Sequence, residues 1–128
     1  MISDDTRTRI IAAARILLCA ATLFIVYEAT IKKPVQVPVD NGDKFLHALA
    51  FFSLAFLMDF AFPARGYWLS KVLPLMAFGI FIEVVQSFLP WRSADVTDFL
   101  ADCVGIAAYT LVMPFLRRIP LISDRWAD

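Results

Sequence analysis

Four long apolar runs constrain this 128-residue chain more than any other feature. They cover about 10–31, 45–62, 68–89 and 96–116, and each is long enough to cross a hydrocarbon core of roughly 30 Å as a helix. Arg15 and Glu28 sit near the ends of the first, where long charged side chains reach the interface. Pro63 closes the second run and Pro90 the third, while Pro74 stands in the first turns of the third. A soluble bundle would need polar outer stripes, yet 48–58 is apolar around nearly its whole circumference apart from Ser53. With 60% hydrophobic and 19% charged residues, the composition also lies outside that of soluble domains. The pattern predicts an all-α protein, a four-helix transmembrane bundle forming a single domain over 1–128.

Zero net charge gives nothing to draw a nucleic-acid partner by bulk electrostatics, and the apolar runs make membrane lipids the expected surroundings. Cys19 and Cys103 lie inside apolar runs and read as small hydrophobes, and the first run reads as a retained helix, too long for a signal core. Positive charge sets the expected orientation. With the amino terminus inside, the inner pieces hold Arg7, Arg9, Arg15, Arg65, Lys71, Arg117, Arg118 and Arg125, and the outer pieces hold Lys32, Lys33, Lys44 and Arg92. That bias predicts both termini in the cytoplasm and the first and third loops outside.

Under this topology nearly every strongly polar group of the last three helices falls at the outer face. Asp43, Lys44 and His47 open the second helix, Glu83 and Gln86 lie on the last turns of the third, and Arg92 and Asp95 occupy the third loop. Asp98 and Asp102 follow on the first turns of the fourth. Asp43 and His47 are one turn apart, and Asp95, Asp98 and Asp102 step by three and four along one helix face. Glu83 follows an apolar stretch and sits inside Pro90, at a depth where an ionisable group faces a bundle interior or a wet cavity.

Several chemistries follow from this collection. Five carboxylates (Asp43, Glu83, Asp95, Asp98 and Asp102) exceed the nearby cations Lys44 and Arg92, so a proton, a charged His47, a divalent cation or a cationic ligand must meet the surplus. One imidazole among carboxylates admits a divalent ion as cofactor. His47 with Glu83 or Asp98 forms a candidate acid/base set, with Gln86 and Arg92 as hydrogen-bond donors to a ligand. The bland alternative is a structural network in which Asp95 caps the fourth helix and Lys44 and Arg92 neutralise carboxylates. Elsewhere, Asp59 is expected at the membrane interface near Arg65, Glu28 beside Lys32, and Tyr27, Tyr67, Trp68 and Trp91 as interfacial anchors. Ala101, Gly105 and Ala108 suit close helix approach.

The order Asp43-Lys44-x-x-His47, Glu83-x-x-Gln86, Pro90-x-Arg92-x-x-Asp95-x-x-Asp98 and Asp102-x-x-Gly105 resembles the VanZ-like family of small bacterial membrane proteins. Asp102 stands where that family also commonly has Asn. The resemblance implies a multi-pass protein of the bacterial cytoplasmic membrane, whose namesake gives low-level resistance to the glycopeptide teicoplanin. It points to an envelope lipid, a cell-wall precursor or the antibiotic itself as ligand. The matching positions are Asp43, Lys44, His47, Glu83, Gln86, Arg92, Asp95, Asp98 and Asp102, the residues that the charge argument selects.

Overall fold

The computed structural model describes residues 2–63, 65–116 and 118. Arg117 and Arg125, counted above among the inner positive charges, lie outside the described residues. Four helices run up and down: α1 (Asp4–Thr30), α2 (Gly42–Ala61), α3 (Leu73–Ser87) and α4 (Val96–Leu116). A π-helical turn, Trp68–Val72, leads into α3. Among the described residues there is no strand, and Asp4–Thr30, Gly42–Ala61, Trp68–Ser87 and Val96–Leu116 are each long and apolar enough to span a membrane.

The helix ends differ from the apolar runs where capping chemistry decides them. α1 starts six residues earlier than its apolar run, because the Ser3 hydroxyl accepts from the Thr6 N–H and Asp4 and Asp5 occupy the positive first turn. α2 starts at Gly42, three residues earlier, directly after Asn41, whose left-handed backbone (φ 58°) turns the chain into the helix. A side chain at Gly42 would run into the backbone of Val37, so the loop is folded against the start of α2. α3 ends at Ser87, before Pro90, because the Phe88 and Leu89 N–H groups bond three residues back to Val85 and Gln86. Pro74 falls at the beginning of α3, beside the π turn, where its missing N–H matters least. Glu28 and Lys32 do not pair as the one-turn spacing suggested. The helix has ended at Thr30; Glu28 accepts from the Val35 N–H, and Lys32 lies over the Trp91 ring.

α2 is the central helix, packed chiefly on α4 and α1, while α3 lies mainly against α4. Phe51, Leu54 and Ala55 of α2 meet Leu75 of α3 and Ile106, Tyr109 and Met113 of α4 in the core. In lipid such contact is held by close packing, since the surrounding acyl chains are as apolar as the side chains. Gly105 makes the approach possible: a Cβ there would collide with the Ala48 carbonyl and come within 2.9 Å of the Phe52 nitrogen. Packing of backbone on backbone therefore fixes the separation of α2 and α4, and with it the distance between the polar residues they carry.

Candidate functional site

The four spans bring the carboxyl ends of α1 and α3 and the amino ends of α2 and α4 to one end of the bundle. Lys44 on the first turn of α2 extends to α4, its Nζ lying 3.2 Å from Asp98, 3.4 Å from Asp95 and 3.2 Å from its neighbour Asp43. One turn deeper, His47 Nδ1 lies 2.7 Å from Asp102 Oδ1, and its Nε2 is 3.8 Å from Asp98 Oδ2. Asp98 and Asp102 are buried, with Asp102 only 1% exposed. Glu83 approaches from α3, where its Oε2 accepts from the Asp95 N–H at 2.9 Å. One donor atom each from His47, Glu83 and Asp102 lie within 4.8 Å of one another, and those three residues come from three different helices.

Asp95 performs the capping task expected of it. Its Oδ1 accepts from the Thr97 N–H at 2.9 Å, and its backbone carbonyl accepts from Asp98 N–H as α4 begins. Hydrogen bonding from Thr97 holds the Asp95 carboxyl below the usual carboxylate range, with Lys44 adding to the effect.

Gln86 and Arg92 sit apart from this cluster. Gln86 Nε2 donates to the Ala29 carbonyl at 3.2 Å, Arg92 donates to the Glu28 carbonyl, and Trp91 Nε1 donates to the Thr30 carbonyl at 2.8 Å. These three side chains from the end of α3 and the third loop thus satisfy carbonyls that the last turn of α1 leaves without partners. Among the described residues Arg92 forms no ion pair with a carboxylate; Lys44 and His47 pair with Asp43, Asp95, Asp98 and Asp102, and Glu83 has no cationic partner. Among the described residues the buried oxygens Glu83 Oε1 and Asp102 Oδ2 have no hydrogen-bond partner, and neither do Gln86 Oε1 and Arg92 Nε.

A groove of about 330 Å³ opens sideways between α3 and α4 beside the cluster. Ile80, Val84, Val96 and Phe99 form its apolar walls, and Glu83 and Asp95 its polar part.

The opposite end holds a polar group that sequence reading missed. Asp59 is 1% exposed, not an interfacial residue beside Arg65, and it accepts from Lys71 Nζ at 2.6 Å and from the Tyr109 hydroxyl at 2.6 Å. Lys71, read above as an inner loop charge, is 2% exposed. Tyr67 likewise turns inward to share a 2.6 Å hydrogen bond with Thr110, whereas Trp68, Trp91 and Tyr27 are exposed as anchors would be. The available signal was the depth of Asp59 within its run, since ionisable groups inside spans seek partners.

A model of the VanZ/LLP1 family matches residues 6–117, and the chain belongs to this family. It is a multi-pass membrane protein by family, with four helices long and apolar enough to cross a membrane. No curated protein and no solved structure matches the chain.

Proposed function

We propose that the protein is a binding protein of the bacterial cytoplasmic membrane that holds an envelope lipid or a lipid-linked cell-wall precursor at its polar end. In this reading both termini are cytoplasmic and the cluster faces outward. The observation that carries it is the lateral groove between α3 and α4, which passes from Ile80, Val84, Val96 and Phe99 to Glu83 and Asp95. An amphiphile meets both halves of such a surface: its chain lies along the apolar walls and its head group reaches the carboxylates. The carboxylate surplus disfavours a bare phosphate and favours a head group that brings donors, such as an amine or sugar hydroxyls. Asp43, Lys44, Asp95 and Asp98 form the rim that orients it, with His47, Glu83 and Asp102 below.

Native mass spectrometry of protein extracted gently with its lipids tests this reading. Wild type is expected to carry a specific amphiphile that Val84→Trp, which fills the groove, and Glu83→Gln both lose. Bare wild-type protein, or an adduct equally retained in both variants, overturns it. The matching cellular readout is teicoplanin tolerance in an expressing bacterial host, expected to rise with wild type and not with Glu83→Gln.

A further inference from the structure

We propose that His47, Glu83 and Asp102 bind one divalent cation of the Zn²⁺ or Mn²⁺ class, a site that goes beyond the groove reading and does not depend on it. The three residues stand on α2, α3 and α4 and present donor atoms within 4.8 Å of one another. Two of those residues carry buried oxygens with no donor, Asp102 Oδ2 and Glu83 Oε1. A buried carboxylate oxygen left without a partner is costly, and two of them beside one imidazole are what a cation repairs.

Among the described residues no ion pair joins Lys44 or Arg92 to Glu83 or Asp102: Lys44 contacts Asp43, Asp95 and Asp98, and Arg92 donates to the Glu28 carbonyl while its buried Nε has no partner. Gly79 lets α3 pack close to Asp102 Oδ2, since a Cβ at that position would stand 3.0 Å from the oxygen and 3.3 Å from the Phe99 ring. Glu83 follows Gly79 by one turn on the same helix. The unpartnered oxygen of Asp102 therefore lies against the helix that supplies the second carboxylate.

The donor set indicates which ion. One imidazole with two carboxylates suits Zn²⁺ or Mn²⁺, whereas Mg²⁺ keeps several waters and Ca²⁺ takes six to eight oxygens. Donors about 2.1 Å from a shared ion lie within about 4.2 Å of one another, so small side-chain rotations draw the three residues together on binding. Asp98, with one oxygen 3.8 Å from His47 Nε2 and the other tied to Lys44, stands as an outer carboxylate beside the ring. Three protein ligands leave coordination positions open to water or a ligand.

The test uses the full chain in detergent micelles, with any affinity tag removed, stripped by chelator and titrated with Zn²⁺ or Mn²⁺. Metal content after desalting and the thermal midpoint are the readouts. Wild type is expected to bind one equivalent and to gain midpoint. Glu83→Gln and His47→Gln are each expected to weaken binding about tenfold or more. Asp40→Asn, which removes an exposed carboxylate from the loop before α2, is expected to bind within twofold of wild type. The two ligand variants lie on different helices, so either one that folds by circular dichroism decides the matter. No saturable binding by wild type, or equal weakening in Asp40→Asn and the ligand variants, overturns the site and leaves only diffuse attraction to acidic charge.

Discussion

Asp59 and Asp102 are equally buried, each about 1% exposed, yet their surroundings differ in kind. Both oxygens of Asp59 have donors, one from Lys71 on the turn that leads into α3 and one from Tyr109 on α4. Asp102 has one oxygen on His47 and one without a partner, and Glu83 repeats the pattern from α3. A groove of similar size lies beside each end, lined by Ile80, Val84, Val96 and Phe99 with Glu83 and Asp95 at the Asp102 end, and by Trp68, Val72, Met76, Ile106 and Thr110 at the Asp59 end. Burial alone thus does not separate a structural carboxylate from a candidate functional one. What separates them is whether the protein supplies every hydrogen bond the buried atoms require.

This contrast is sharpest under charge removal. Asp59→Asn leaves the Lys71 ammonium buried against an amide, and loss of one partner from a buried pair costs about 3–5 kcal/mol. Unfolding in mixed micelles should show that loss, and Asp59→Asn combined with Lys71→Met should recover much of it. A single variant as stable as wild type would remove the distinction between the two ends. The next largest effect is expected at the contact that both ends share. Gly105→Ala forces a methyl group toward the Ala48 carbonyl, and overpacking of this kind costs about 1–3 kcal/mol. Because Gly105 sets the spacing of α2 and α4, the variant should also weaken whatever the His47 cluster binds. Unchanged binding alongside that loss of stability would show that the cluster tolerates changes in helix spacing.

The uneven legibility of these ends in the sequence has physical causes. Asp43, Lys44 and His47 against Asp95, Asp98 and Asp102 were readable because α2 and α4 keep ordinary helical phase and meet at their amino-terminal turns. The four spans were readable because apolar length leaves few alternatives in a bilayer. Gln86 and Arg92 were readable as polar but not in direction, since their partners are main-chain carbonyls of α1, which carry no side-chain signature. Asp59 and Lys71 escaped for another reason. Lys71 lies on the π turn Trp68–Val72, whose wider winding shifts the phase on which a 3.6-residue reading depends. The same reading could not show that the hydroxyls of Tyr67 and Tyr109 turn into the bundle.

A smaller effect of opposite sign is expected at Glu83. Glu83→Gln keeps an acceptor for the Asp95 N–H and removes one negative charge from a surplus, so metal-free protein should be equally stable or more stable, by at most about 1 kcal/mol. Unfolding of chelator-treated wild type and variant in the same micelles measures this. A loss approaching that of Asp59→Asn would make Glu83 a structural charge and the two ends alike.

The smallest effect concerns the rim, where Asp95 caps α4 and is exposed. Hydrogen bonds from Thr97 hold its carboxyl below the ordinary value, so the ionised form is favoured in the folded protein. A group whose folded pKa is depressed contributes fully above its unfolded value, about 3.9, and loses that contribution as pH falls through the lower folded value. Asp95→Ala should therefore lower the thermal midpoint slightly at pH values above about 3.9, and the gap from wild type should close as pH falls below that value and the wild-type carboxylate is protonated. The other acids titrate in both proteins, so comparison between the two isolates Asp95 provided that Lys44 keeps its contacts with Asp43 and Asp98. A gap that persists at the lowest pH would mean that the protonated side chain caps as well as the charged one. Charge at the rim would then matter for the ligand and not for the helix, which would widen the contrast with Asp59.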